Sequence, residues 1–315
     1  SGGRPEPNEI YSRLANRTVD RFERAFAQLE HADDSVAFGS GMAAVTAALL
    51  VARQRGSHVV AVRPLYGGTD HLLASRLLAL DVTWATAGGV GTAIRPETAL
   101  VVIETPANPT LALVDIADVV RQAGAVPVLV DSTFATPVLQ CPLDLGATLS
   151  LHSGTKYLGG HGDVMAGGIA ANDDWSRALR QVRILTGGVL HPMGAYMLHR
   201  GLQTLAVRVR TAQAGAVTIA ERLLASPAVE HVYFPGLPGG DPHKLIGRQM
   251  SGPGAMISFD IVGGFDAAAT VLREVRLLTP AVSLGSTDSL IQHPAGLTHR
   301  VIGEAARHEE GLGPG

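Results

Sequence analysis

The chain predicts an α/β fold, a mostly parallel sheet with helices on both faces, followed by a smaller α+β region. Three observations carry that expectation. Short apolar runs without polar alternation recur up to about residue 195, which is the pattern of strands buried on both faces. Each run ends in a turn and leads into a helix-patterned stretch, so strands and helices alternate. The pattern then changes to a long helical segment followed by strand, loop, strand and helix. With 315 residues, 46% hydrophobic and 17% charged, the chain can bury a large core and is not disordered. Aromatic residues make up only 4%, so Ala, Val and Leu must build most of that core.

In chain order, residues 35–38 form a short apolar run, and Gly39-Ser40-Gly41 turns it into a helical pattern over 42–53. Residues 58–62 read as a buried strand and 70–80 as a helix. Residues 100–104 are apolar and largely β-branched, giving the next strand. The helix over 115–122 has Asp115 as its cap and Gly124 as its stop. Runs at 127–130, 148–152 and 165–170 complete the set. Such units cross over right-handedly, and ligands bind beyond the carboxyl ends of the strands. A helical pattern covers 197–222; strand-like 229–234 and 256–261, a helix over 265–276 and an apolar run at 281–284 follow. The expected division is an arm over 1–10, a main domain over 11–225 and a C-terminal domain over 226–315.

Several classes are excluded. A net charge of −3 gives no basic field for nucleic acid. No run reaches the ~18–20 apolar residues of a membrane span. One cysteine, Cys141, excludes a disulfide scaffold or a multi-cysteine metal cluster and fits the cytosol. The 12 histidines include no H-E-x-x-H, so no catalytic metal is expected.

The chemistry concentrates at strand ends. Ser153-Gly154-Thr155-Lys156-Tyr157 precedes a second glycine-rich stretch. It reads as a phosphate loop, as a Schiff-base lysine, or as an exposed loop. The P-loop pattern fails, and Lys156 is one of only two lysines. Asp131 ends an apolar run, where a carboxylate needs a partner such as a protonated ring nitrogen; the alternative is a turn cap. Gly39-Ser40-Gly41-Met42-Ala43-Ala44 opens a helix and suits an anion. No acidic residue lies near position 60, so a single phosphate fits better than a dinucleotide. Tyr66, before Gly67-Gly68, could stack on a planar cofactor or enter a helix; two prolines beside Asn108 could aim its amide or simply stiffen a turn.

Taken in order, these motifs resemble the Cys/Met-metabolism family of pyridoxal 5'-phosphate (PLP) enzymes, which includes cystathionine γ-synthases, cystathionine γ-lyases and methionine γ-lyases. The resemblance runs from Tyr11-Ser12-Arg13 through the segments above to Ala281-Val282-Ser283-Leu284-Gly285 and Gln292-His293-Pro294. It implies the PLP-dependent transferase-like fold (fold type I), with the PLP-binding domain over 11–225. It implies that Lys156 holds the cofactor and moves protons, Asp131 pairs with the pyridine nitrogen, and Asn108 bonds the phenolic oxygen. Gly41, Met42, Ser153 and Thr155 would hold the phosphate, and Tyr66 would stack on the ring and act as acid–base group. Tyr11 and Arg13 would reach the cofactor phosphate of a neighbouring subunit, so the unit is at least a dimer, commonly a tetramer. Ser283, Thr298 and Asp288 would contact the amino-acid substrate. The implied reaction is γ-elimination from cystathionine or methionine, giving 2-oxobutanoate, ammonia and a thiol; the alternative is γ-replacement on an activated homoserine ester.

Departures from the family pattern set further expectations. Arg17 stands where a proline is usual, which loosens the Tyr11–Arg13 segment. Gly68 stands where methionine γ-lyases carry cysteine, which tilts the substrate towards cystathionine. The family chain extends further at both ends, and its carboxylate-binding arginine motif has no match here, so both ends are expected to be incomplete.

Overall fold

A computed structural model describes residues 11–294. Helix α1 (Arg17–Leu29) leads into β1 (Asp34–Phe38), α2 (Gly41–Arg53), β2 (His58–Val62), α3 (Gly67–Ala74) and β3 (Asp81–Ala85). Next come short α4 (Val90–Ala93), β4 (Thr98–Glu104), α5 (Ile116–Ala123), β5 (Val128–Asp131), short α6 (Thr136–Leu139), β6 (Leu149–Ser153) and β7 (Gly167–Ala171). These seven strands make one sheet in the order β1-β7-β6-β5-β4-β2-β3. Only β7 runs antiparallel to its neighbours.

Both faces of the sheet are covered, which explains the unbroken apolar runs. Alternate residues divide between two cores. Val59, Ala61, Leu100 and Val102 pack with Ala48 and Leu49 of α2. Val60, Val62, Val101 and Ile103 pack with Ile116 and Val119 of α5. A third cluster joins Phe22 and Phe26 of α1 to Ala170 and to Leu198. Here glycine substitutes for bulk: a Cβ on Gly168 would stand 2.9 Å from the Phe26 ring. Low aromatic content is thus met by small residues that let backbones approach.

The expected caps form. Asp115 accepts from Asp118 N, and Gly124 closes α5 with φ 60°. Asn16 caps α1 through its side chain and Arg17 occupies the first helical position. The segment after Tyr11–Arg13 therefore runs into a capped helix, with Arg17 in place of the usual proline at its first position. The helix expected over 70–80 starts at Gly67 and ends at Ala74, because Arg76 and Ala79 both take positive φ. Helices α1 and α7 (Asp173–Thr186) and edge strand β3 were not legible as elements: β3 is half-exposed and mixes polar with apolar residues.

The long helical pattern is two helices, α8 (Pro192–Leu202) and α9 (Leu205–Leu224). At the break, a Cβ on Gly201 would lie 2.4 Å from the Gly159 carbonyl. Arg208 of α9 closes the joint, donating from Nη2 to Gly201 O and from Nη1 to Tyr157 O, each at 2.8 Å. Beyond α9, β8 (Val229–Tyr233) pairs antiparallel with β9 (Ser258–Ile261), and α10 (Gly264–Glu274) follows. The run at 281–284 is not a strand. It is a loop between the two-residue strands β10 (Thr279–Pro280) and β11 (Leu290–Ile291). No helix among the described residues is long and apolar enough to cross a membrane.

Candidate active site

The carboxyl ends of β4, β5 and β6 converge with the amino end of α2. Strand β6 delivers Ser153 and then a tight turn, 154–158, in which Lys156 leaves helical geometry at φ −89° and ψ −127°. The Lys156 amine donates to Ser283 Oγ at 2.9 Å. Burial holds its pKa below the ordinary lysine value, which raises the share of neutral, nucleophilic amine. Ser283 reaches it from the loop after β10, with φ at 92°, so a strained residue presents the contact. Gly285 follows at φ 78°, and a Cβ there would lie 2.6 Å from Tyr157 N. Only glycine lets this loop close over the lysine turn.

Asp131 ends β5. Its Oδ1 accepts from Thr133 N at 3.0 Å and from Thr133 Oγ1 at 2.6 Å, and Thr133 Oγ1 accepts from Ser153 N at 2.9 Å. Burial raises the Asp131 pKa, while the Thr133 bonds and the nearby His152 oppose the rise. His152 lies deep in the sheet, bonded through Nε2 to Glu30 Oε1 at 2.6 Å. Glu104 ends β4 in register with Asp131. It accepts from Tyr66 N at 2.6 Å and from Asn108 N at 2.9 Å. Burial, then the Asp131 charge, push its pKa up to about 8. Among the described residues neither carboxylate has an ion-pair partner.

An anion cradle adjoins them. Ser40 caps α2 by accepting from Ala43 N at 3.0 Å, and Gly41 is the first helical residue. A Cβ on Gly41 would stand 3.3 Å from Ser153 Oγ, so the serine hydroxyl sits at the helix's positive end. A Cβ on Gly167 would come 2.3 Å from Ser40 O, so β7 packs bare backbone against this loop. The Thr155 hydroxyl is engaged by Ala166, donating to its O at 3.2 Å and accepting from its N at 3.0 Å. Tyr66 is half-exposed at the start of α3. A Cβ on Gly68 would meet the Tyr66 ring at 2.6 Å and Met42 Sδ at 3.0 Å. Gly68 is therefore the space in which the ring lies, a packing requirement that says little about substrate.

Beside Lys156 opens a cavity of about 460 Å³. Asn108, Tyr157, Ser283 and Asp288 line its polar side, and apolar side chains of α9, β9 and α10 line the rest. Of the residues expected at the site, Gly41, Met42, Tyr66, Asn108, Asp131, Ser153, Thr155, Lys156, Ser283 and Asp288 lie on these converging segments. Tyr11 and Arg13 do not join them through any contact described here. Arg13 stacks on Tyr11 at 5.2 Å and donates to Ile184 O at 2.8 Å, and Tyr11 is 56% exposed. Thr298 lies outside the described residues. Sequence reasoning gave no role to Glu104 or Thr133; the signal for Glu104, a carboxylate ending an apolar run, is the same one that marked Asp131.

Comparison with known proteins agrees with this geometry. An L-methionine gamma-lyase of Brevibacterium sandarakinum is 60% identical over 304 residues, covering 96% of this chain and 77% of that protein. The solved structure of a cystathionine gamma lyase from Micromonospora echinospora superposes with a TM-score of 0.93 at 42% identity, covering 99% of this chain and 84% of that one. A cystathionine gamma synthase from Xanthomonas oryzae superposes with a TM-score of 0.92 at 36% identity, covering 97% and 81%. A family model matches residues 2–315, and with these relatives it establishes that the chain belongs to the Cys/Met metabolism PLP-dependent enzyme family.

Proposed function

We propose that the chain is a carbon–sulfur lyase that eliminates the γ-substituent of methionine, and also of cystathionine, to give 2-oxobutanoate, ammonia and a thiol. The family is PLP-dependent, and the residues present fit that cofactor. Buried Glu104 and part-buried Asp131, in register and without a cation among the described residues, suit a protonated pyridine ring, and the capped start of α2 suits a phosphate. The observation that carries the reading is the Lys156 amine: part-buried, less basic than usual, and 2.9 Å from Ser283, which lines the cavity. The methionine gamma-lyase relative supports methionine ahead of cystathionine, and the packing role of Gly68 removes the sequence argument for cystathionine.

Asp131 would hold the pyridine nitrogen's proton, and Thr133 keeps that carboxylate aimed. The α2 amides of Gly41 and Met42 and the Ser153 hydroxyl would bind the phosphate; the Thr155 hydroxyl joins them by turning its proton away from Ala166 O. Asn108 would donate to the ring oxygen, and Tyr66 would lie on the ring face. When bound, the cofactor accepts the electron pair left at the substrate Cα. Lys156 Nζ would hold the cofactor covalently, and as a free amine it would take the substrate Cα proton. Loss of a second proton, from the substrate Cβ, would form the Cβ–Cγ double bond and expel the sulfur from Cγ as a thiolate, to which the Tyr66 hydroxyl would hand a proton. Ser283 and Asp288 would meet the substrate, and Tyr11 and Arg13 would complete the phosphate site of a second subunit in a dimer or tetramer. The region after residue 226 would form a separate C-terminal domain, and the enzyme would work in the cytosol.

Visible absorbance on adding PLP tests the cofactor site: the wild type gains a band that Lys156→Ala lacks. Release of 2-oxobutanoate from methionine and from cystathionine tests the reaction. The synthase-like structural neighbour favours γ-replacement as a second reading. Thioether formation from an O-acylhomoserine and cysteine, without 2-oxobutanoate, would establish it instead.

A further inference from the structure

The role given to Asp131 leaves its neighbour Glu104 unexplained. The two end adjacent parallel strands in register, yet they do different work. Glu104 is 6% exposed, and its two oxygens accept from the backbone of two separate loops: Oε2 from Tyr66 N at 2.6 Å and Oε1 from Asn108 N at 2.9 Å. Those loops carry the side chains expected to lie on the cofactor ring and to bond its oxygen. A carboxylate offers acceptors only, which matches two N–H donors. A glutamine of the same shape would set its own NH2 against one of them, and an aspartate is a methylene too short to reach both.

Burial beside another carboxylate raises the pKa of this group, so holding it charged is costly unless a cation lies close by. A tie needed only for folding could be made by a neutral side chain. The charge is explained if the two loops must be held at fixed height over a ring that is itself cationic. We propose that Glu104 is a positioning residue, which clamps Tyr66 and Asn108 in the places from which they meet the cofactor. The proposal rests on the PLP reading of the site.

The test uses the PLP-loaded enzyme as wild type, Glu104→Gln and Glu104→Asp. Three quantities are followed: borohydride-trapped cofactor on Lys156, visible circular dichroism of the bound cofactor, and kcat and KM for methionine. Glu104→Gln should trap cofactor as the wild type does. Its induced dichroism should fall by about half, and kcat should drop about tenfold or more while KM moves less than about threefold. Glu104→Asp, which retains the charge and one bond, should recover part of the dichroism and rate. If Glu104→Gln does not fold, Glu104→Asp carries the same readouts, and partial loss of both is the expected result. Wild-type dichroism and kcat in a folded Glu104 variant would overturn the proposal. Failure of the wild type to trap cofactor would overturn the reading beneath it, and the proposal with it.

Discussion

The central strands carry polar clusters at both ends, and the two clusters are opposite in kind. At the amino ends, His58 is buried, with Nδ1 bonded to Thr98 Oγ1 and Nε2 to Thr83 Oγ1, each at 2.8 Å. Arg95 donates to the Thr83 hydroxyl at 3.0 Å and its backbone N–H to Thr98 Oγ1 at 2.7 Å. Donors and acceptors match, and burial keeps the imidazole neutral by lowering its pKa. At the carboxyl ends, Glu104 and Asp131 stand side by side with raised pKa values and no described cation. One end is satisfied by its own hydrogen bonds; at the other, none of the described residues pairs a cation with either carboxylate. Buried polar groups in one sheet thus separate into a set satisfied by its own hydrogen bonds and a set whose charge is left uncompensated, which is the pattern of a candidate functional site.

Substitutions at each end break the comparison most directly. Lys156→Ala should lower 2-oxobutanoate release by about 10⁴-fold or more, because covalent binding and proton transfer vanish together. Its melting temperature without cofactor should not fall, since a buried amine is removed. Asp131→Asn should reduce kcat by about 10²- to 10³-fold. Urea unfolding of the cofactor-free chain should show Asp131→Asn no less stable than wild type, because like-charge repulsion is relieved. A marked loss of stability in either variant would put the two ends in the same class.

Thr98→Val tests the opposite end. It leaves a buried imidazole nitrogen and the Arg95 N–H without their partner, so unfolding should cost about 1–3 kcal/mol less. kcat/KM of the loaded enzyme should stay within about twofold of wild type.

The smallest expected effect is a difference in pH dependence. Without cofactor, burial and the Asp131 charge raise the folded-chain pKa of Glu104 from the ordinary 4.5 to about 8. Stability of the cofactor-free chain should therefore decline as pH rises through that window, and Glu104→Gln should flatten the decline. His58 acts in the opposite sense. Its folded pKa lies below the ordinary 6.5, so its contribution is present above that pH and is lost as pH falls below it. Unfolding midpoints measured across this range in Glu104→Gln and His58→Phe separate the two slopes.

Much of this was legible in the sequence because each signal was local. Apolar runs ending in Asp131 or Ser153, the Gly39–Ala44 turn and the Asp115 and Gly124 caps all declare themselves within a few residues. What was not legible depends on residues far apart in sequence. The break between α8 and α9 needs Gly201 to meet the Gly159 carbonyl. The run 281–284 is apolar like a strand, yet it becomes a loop because Ser283 and Gly285 must pass over the lysine turn. The role of Gly68 appears only when the Tyr66 ring is seen lying where a Cβ would be.

Arg208 has a mechanical consequence. Its guanidinium bonds the carbonyl of Tyr157, the residue after Lys156, while its backbone belongs to the helix that leads into β8, β9 and α10. A tilt of that helix is therefore a pull on the lysine turn. Any displacement of that helix relative to the turn must stretch this bond or carry the turn along, so the C-terminal elements and the residue next to Lys156 are tied into one mechanical unit.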